Sequence, residues 1–467
     1  MTVVIAGGGA VGSQLARGLI EEHHDVVLIE RDAGVVQRLT NSLDCFVQTG
    51  EASNLHVLTE AGVARADVFV AATDSDETNM IACAVVASQF DTPIKIARVR
   101  NMDYTIAKVA ENHFMGIDYL VNPEVEAARA ILRSIAHGAV SDVMLFQYAD
   151  VQIRNLPVDP QSPFLGQSLQ RLSAIIPGSF LIAAIVRGND YIVPSGNTVI
   201  QEADILYVVA APDVLEDIFT RAGRKRVELR KVVIVGGGRV GQQILDELST
   251  AGTTTTGGLP GRIASLFSRG QKRTIKVIDR NRERCKLLAD RYPDALVIHA
   301  DVSTDSVLEQ EHLTRSDLVI AVTDNQELNV ITALYAKSLG TRRVVALVNR
   351  AQYADVAMQL GVDVAVSQKN ALVNTMIRFI RGESITSLHT ISDGMVEVIE
   401  VEVTSGSKGA GIAIRDLEMP RDTLILALVR TSSTTVPGGD AVIQVGDQLV
   451  VLARKEHVPR LQALFHS

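Results

Sequence analysis

The sequence predicts an α/β protein made by tandem duplication, in which a parallel-sheet domain followed by a small α+β domain occurs twice. Three observations predict it. Residues 3–12 read VVIAGGGAVG and residues 232–241 read VVIVGGGRVG, identical at eight of ten positions. After each, β-branched runs alternate with segments of helical periodicity, the pattern of βαβ units, a parallel sheet and right-handed crossovers. The two intervening segments also match, each closing on an apolar strand and a short amphipathic helix: ADILYVVAAPDVLEDIF and GDQLVVLARKEHVPRLQALF. The expected domains are 1–140, 141–227, 228–384 and 385–467, with the basic, Gly-containing stretch Arg221–Arg230 linking the copies.

The elements follow in order. VVIAG is a short buried strand, SQLARGLIEEHH a helix and DVVLIE a second apolar strand. A helix near Val35–Ser42, a strand near Cys45–Thr49, a helix near Asn54–Ala61 and the strand DVFVAAT come next. MIACAVVASQF is helical and IKIARV extended; the second copy repeats the series as VVIVG, IKVID, ALVIHA, LVIAVT and RVVALV. PEVEAARAILRSIAHG, after the first sheet, reads as an amphipathic helix that either exchanges between units or packs within its own.

Composition narrows the function. At 467 residues with 47% apolar content, the chain can build several cores. A net charge of −9 argues against nucleic acid, whose phosphates need a cationic face. No run reaches the ~18 apolar residues of a membrane span, and no secretory signal is expected at Met1. Cys45, Cys83 and Cys285 are scattered, which fits packing in a reducing cytoplasm.

The repeated turn is a G-x-G-x-x-G fingerprint at the start of a helix, which makes both parallel domains Rossmann-like. Gly7 permits the tight turn, Gly9 lets the backbone approach a diphosphate, and Gly12 lets helix and sheet pack closely; Gly8, Ala10 and Val11 complete the loop. Amides and dipole at the helix start stabilise the diphosphate charge. Glu30 ends the second strand, where a carboxylate binds both ribose hydroxyls and favours NAD(H) or an adenine nucleotide over NADP(H). Arg31 beside it weakens that preference. The second copy offers Gly236, Gly238, Arg239, Val240 and Gly241, then Asp279 and Arg280. Its acid is displaced by an insertion at Gly252–Arg273, rich in Thr and Gly, which is either a tolerated surface loop or a partner contact.

Other landmarks recur. Thr73-Asp74-x-x-Glu77-x-Asn79 and Thr323-Asp324-x-x-Glu327-x-Asn329 end the fourth strands, where they contact ribose or phosphate, cap the next helix, or do both. Glu51 and Ala52, with Asp301 in the second copy, end the third strands beside the adenine position. Arg98 is placed to reach the diphosphate. Its counterpart is Leu347, so the second cleft lacks that cation.

Taken together, the fingerprint, the acid after strand two, T-D-x-x-x-x-N, A-R-V and a small β-rich domain ending G-D-x-L resemble the RCK unit. Two in tandem resemble the TrkA family, the regulatory subunits of bacterial Trk potassium uptake systems. The resemblance covers essentially the whole chain. It implies a non-enzymatic, nucleotide-binding protein, cytoplasmic and peripheral to the inner face of the plasma membrane, with NAD(H) and ATP or ADP as ligands. It also implies self-assembly, as a tetramer of tandem chains, into a ring against a Trk-type membrane potassium transporter. No metal site is expected.

The competing expectations are an NAD-dependent oxidoreductase and a nucleotide-sensing adaptor of a different ion transporter. Tyr104-x-x-x-Lys108 has the spacing of a short-chain dehydrogenase pair, yet it falls one strand–helix unit too early. The second copy has Tyr353 with Ala357 there. His113, His137, His299 and His389 are isolated and suggest no triad.

Overall fold

The computed structural model describes residues 1–106, 114–136, 143–146, 149–188, 190–223, 230–250, 274–304, 316–380, 385–391, 396–431 and 433–465. The Gly252–Arg273 insertion, Lys108, His113 and His137 lie outside the described residues.

The first copy opens with β1 (Thr2–Ala6), α1 (Ala10–Glu21), β2 (Asp25–Glu30), α2 (Ala33–Ser42), β3 (Phe46–Thr49) and α3 (Leu55–Glu60). It continues with β4 (Val68–Ala71), α4 (Asp76–Gln89), β5 (Ile94–Arg98), α5 (Met102–Ile106), β6 (Tyr119–Val121) and α6 (Pro123–Ala136). The strands form a parallel sheet of order β3-β2-β1-β4-β5-β6. All described residues of β1 after Thr2, and all of β4, are buried, as expected of strands covered by helices on both faces. The order reverses between β1 and β4, which opens a crevice at their carboxyl ends.

A small antiparallel sheet follows, with β7 (Val143–Leu145), β8 (Gln152–Pro157), α7 (Leu169–Ile175), β9 (Phe180–Arg187), β10 (Asp190–Ile192), β11 (Ile205–Ala210) and α8 (Pro212–Arg221), in the order β10-β9-β11-β8-β7. The second copy repeats the first: β12 (Lys231–Val235), α9 (Arg239–Thr250), β13 (Thr274–Asp279), α10 (Arg282–Arg291), β14 (Ala295–His299), β15 (Leu318–Ala321), α11 (Gln326–Ser338), β16 (Arg343–Val348), α12 (Ala351–Gln359), β17 (Val364–Ser367) and α13 (Gln368–Ile380). Its sheet order is β14-β13-β12-β15-β16-β17. The last sheet, β18-β19-β22-β20-β21, contains β18 (Ile385–Ile391), β19 (Val396–Glu402), β20 (Leu424–Arg430), β21 (Ser433–Thr435) and β22 (Gln448–Arg454), and α14 (Val458–Phe465) ends the described chain.

These segments gather into two compact units, one of Met1–Ala136 with Glu228–Ile380 and one of His137–Val227 with Arg381–Ser467. Within the first unit the closing helices are exchanged. α13, from the second copy, packs on α1, β5 and β6 of the first, while α6 packs on α9, β16 and β17 of the second. Leu372, Val373, Met376 and Ile380 thus join the core built on Val3, Ile5, Leu15 and Leu28, and Phe379 stacks on Tyr119 at 4.1 Å between ring centroids. Of the two placements the sequence leaves open for α6, exchange is the one adopted. Where α6 and α13 meet, the Thr375 hydroxyl donates to buried Glu126 Oε2 at 2.7 Å, and Arg129 Nη1 donates to Oε1 at 2.9 Å.

In the second unit both small sheets contribute to one core, Ile153, Ala183 and Val209 lying with Val398, Leu426 and Leu452. Each sheet has the same clasp. Asp204, fully buried, accepts from Arg187 Nε and Nη2 at 2.8 and 2.9 Å and from Gln201 N; Asp447 repeats this with Arg430 and Gln444 N. The aspartate of the G-D-x-L ending is therefore structural.

Candidate nucleotide clefts

The fingerprint turns are built by close backbone approach. Gly7 has φ +104°, a left-handed conformation open to glycine at little cost. A Cβ on Gly12 would sit 1.9 Å from Gly7 O, and one on Gly241 would sit 2.0 Å from Gly236 O, so only hydrogen fits at either position. Gly9 and Gly238 have nothing within 4 Å of an added Cβ. The first pair is fixed by packing; the second pair leaves space for a ligand. Gly9 is the N-cap of α1 and no side chain caps that helix, so its first amides are presented to the cleft.

The acids at the ends of β2 and β13 do more than wait for a ribose. Glu30 Oε2 accepts from Gly8 N at 2.7 Å, and Oε1 accepts from Arg31 N and Asp32 N at 2.8 and 2.9 Å. Asp279 accepts from Gly237 N at 2.8 Å, Asn281 N at 2.7 Å and Arg284 Nη1 at 3.1 Å. Each carboxylate ties the glycine turn to the start of the next helix. Lone pairs remain for hydroxyl donors.

A first cleft of about 570 Å³ lies at the carboxyl ends of the first sheet. It brings together Gly7, Gly9, Ala10, Val11, Glu30, Arg31, Glu51, Ala52, Thr73, Asp74 and Arg98 from the sequence reading. Gly8 and Gly12 do not line it: Gly8 is held by Glu30, and Gly12 packs under the turn. The second copy has two adjoining cavities of about 340 and 350 Å³ that share Gly238, Arg284, Val322, Thr323 and Asp324. Between them they are lined by Gly236, Gly238, Arg239, Val240, Asp279, Arg280, Asp301, Thr323 and Asp324, while Gly241 lies beneath the turn.

The Thr-Asp motif works differently from its expectation as a cap. Thr73 Oγ1 donates to Asn79 Oδ1 at 2.6 Å, and buried Asn79 donates from Nδ2 to Arg98 O at 2.8 Å. The motif thereby stitches the end of β4 to the end of β5. Thr323, Asn329 and Leu347 O repeat the arrangement. The caps are Ser75 and Asn325, the next-but-one residues, through Thr78 N and Leu328 N. Asp74 stays almost wholly exposed.

Arg98 is the most telling cation. Its side chain is only 6% exposed, Nη1 donates to Thr73 O and Asp74 Oδ1, and Nε has no hydrogen-bond partner. Burial and the nearby Arg100 charge pull its pKa below the usual guanidinium range, against the opposing pull of Asp74. A buried donor without an acceptor is costly, and an anionic ligand in the cleft would satisfy it. The donor set therefore fits a nucleotide diphosphate. Arg31 pairs with Glu51 at 3.3 Å on the exposed rim, where such a pair contributes little. Asp301 is held below the usual carboxylate range by the Ser303 hydroxyl and amide.

The cleft linings also include residues the motifs did not mark: Arg100 and Lys369 in the first, Arg284, Glu124, Gln326, Asn349 and Gln368 in the second. Glu124 and Lys369 come from the exchanged helices, so no pattern local to either fingerprint signals them. Tyr104 packs, partly buried, against the core cluster that contains Phe69 and Val99. Among the described residues no group of three His, Cys, Asp or Glu is placed to hold a metal ion, and no helix is long and apolar enough to cross a membrane.

Comparison with known proteins adds the family. The profile described as TrkA-N domain matches residues 3–123 and 255–368, and that described as TrkA-C domain matches 153–223 and 398–466. The chain is 31% identical to the Trk system potassium uptake protein TrkA of Halomonas elongata, covering 100% of this chain and 98% of that one. It is 30% identical to the Azorhizobium caulinodans protein of the same name, again covering 100% and 98%. Among solved structures, the GsuK channel superposes with a TM-score of 0.59 at 20% identity, over 98% of this chain and 77% of that one. The GsuK channel bound to NAD gives 0.58 at 20%, over 99% and 78%; both likenesses show the fold. With TrkA-N and TrkA-C matches in tandem and about 30% identity to TrkA proteins along its whole length, this chain belongs to the TrkA family.

Proposed function

We propose that the protein is a regulatory subunit that binds NAD(H) and adenine nucleotides in its two clefts and gates a membrane potassium uptake transporter. The observation that carries the reading is the duplicated turn with its carboxylate: Gly9 open above an uncapped helix start, Glu30 at the ribose position and Arg98 short of an acceptor. The relatives' names supply the transporter, since both are called Trk system potassium uptake proteins. The GsuK neighbour described as bound to NAD supports the ligand. On this reading the four segments 1–140, 141–227, 228–384 and 385–467 work without catalytic chemistry, on the inner face of the plasma membrane. The assembly is a homo-oligomer, held to be a tetramer of tandem chains, against a Trk-type partner.

The physics is population shift: a nucleotide biases the assembly only through different affinities for its two shapes. A tenfold difference per site is worth about 1.4 kcal/mol, and several sites compound it. The experiment is calorimetric titration with NADH, NAD⁺, ATP and ADP of the wild-type protein and of Gly9→Glu. Binding lost at one site of Gly9→Glu, with the fold retained, supports the reading. No binding of any of the four to the wild-type protein refutes it. Restored potassium uptake in cells carrying only the transporter tests the partner.

A further inference from the structure

The two clefts differ in charge at the same three places, while the second keeps Arg239, Arg280 and Arg284 elsewhere in its lining. In the sheet registers Ala71 pairs with Ala97 and Ala321 with Ala346, so Arg98 and Leu347 are equivalent, and two residues later Arg100 matches Asn349. The third place belongs to the exchanged helices. Lys369 is the second residue of α13 and lines the first cleft; Glu124 is the second residue of α6 and lines the second. Three cations in the first cleft thus face an apolar, a neutral and an acidic residue in the other.

Arg98 pairs with Asp74 and senses the Glu124 charge, yet one polar atom on each of Arg98 and Glu124 is left over. Arg98 Nε is buried without a partner, and Lys369 makes no ion pair with any described carboxylate. Glu124 is 14% exposed; its Oε2 is buried without a hydrogen-bond partner, while Oε1 lies 3.8 Å from Arg239. An ionised terminal phosphate satisfies clustered cations better than a sugar does, because a charged acceptor strengthens each bond. A carboxylate repels that phosphate and accepts from sugar hydroxyls instead.

We infer that Lys369 is a phosphate-binding residue of the first cleft, donated by the second copy, and that Glu124 turns the second cleft toward a ligand whose far end is a sugar. This rests on the clefts being nucleotide sites. The first cleft then prefers a nucleotide ending in phosphate, and occupancy of either cleft pulls on a helix rooted in the other copy.

ADP and ADP-ribose separate the two ends, sharing adenosine and diphosphate but differing in whether a sugar caps the last phosphate. With Gly238→Glu closing the second cleft, Lys369→Glu is expected to weaken ADP about tenfold or more and ADP-ribose about threefold or less. Lys369→Gln gives a smaller change of the same sign should the charge reversal impair folding. With Gly9→Glu closing the first cleft, Glu124→Lys is expected to raise the preference for ADP over ADP-ribose by about tenfold. If ADP binds the Gly238→Glu parent yet neither Lys369 variant alters the ADP to ADP-ribose affinity ratio, the inference is overturned and the nucleotide clefts stand. If neither ligand binds either parent, both readings fall.

Discussion

Replacing Gly12 with alanine tests whether close packing at the fingerprint supports the fold itself. The new Cβ would stand 1.9 Å from Gly7 O and 3.1 Å from Gly7 C. Carbon–oxygen contacts settle at about 3.3 Å, so α1 must retreat by roughly 1.4 Å from the turn. Forced overpacking of this kind costs about 3 kcal/mol. The alanine returns roughly 1 kcal/mol of helix propensity, leaving a net loss of about 2 kcal/mol. With a urea slope of about 3 kcal/mol/M, the midpoint should fall by about 0.7 M. Gly9→Ala is the control: nothing lies within 4 Å of its Cβ and its φ is −67°. Its midpoint should stay within about 0.2 M while nucleotide affinity drops, because the methyl occupies the approach to the helix amides. The assay is urea denaturation followed by circular dichroism, with NADH titration alongside. A Gly12→Ala protein that unfolds at the wild-type midpoint would refute the packing argument.

Four further outcomes are expected. Thr375→Val removes the hydroxyl that serves buried Glu126 and should cost about 1–3 kcal/mol, read by urea denaturation. Ala203 holds φ +63° where the second small domain has Gly446 at +87°, so Ala203→Gly should stabilise by about 1 kcal/mol; a loss on thermal denaturation would contradict this. Burial alone would raise the Asp204 pKa, but Arg187 and Gln201 N outweigh it and hold it below the usual carboxylate value. Its contribution is therefore complete above about pH 4 and lost as pH falls through the lower folded value; an acid titration of stability in wild type and Asp204→Asn, which should lack that slope, checks the sign. Burial pushes the Cys83 thiol far up, so in the native protein it should resist a disulfide reagent at pH 8 and react once urea is added.

Much of this was legible because it is local. The Gly7 turn needs a residue tolerant of positive φ, Gly12 needs one without a Cβ, and alternating strand and helix periods set a parallel sheet, whose strand order β3-β2-β1-β4-β5-β6 came from the structure. The predicted helix near Val35–Ser42 begins two residues earlier, at Ala33, because Asp32 caps it through Val35 N. Side-chain traffic was less legible. Thr73 read as a cap or a ligand contact, but Asn79 claims its hydroxyl, a choice that depends on where β5 ends. Glu30 read as a ribose ligand, and its three backbone donors emerged only once the turn closed against it.

The sequence by itself determined the duplication, both parallel sheets, the glycine turns and the acid beside each. The turns and acids follow from residues within a single βαβ stretch, the sheets from the run of such stretches, and the duplication from their recurrence at 3–12 and 232–241. Only the tertiary structure decided that α6 and α13 cross over, that Lys369 enters the first cleft and that Glu124 enters the second. A duplicated chain offers each amphipathic helix two similar apolar surfaces, and its own periodicity matches both. The selection is made by contacts between distant residues, Phe379 on Tyr119 and Thr375 to Glu126, whose partners lie some 250 positions away along the chain.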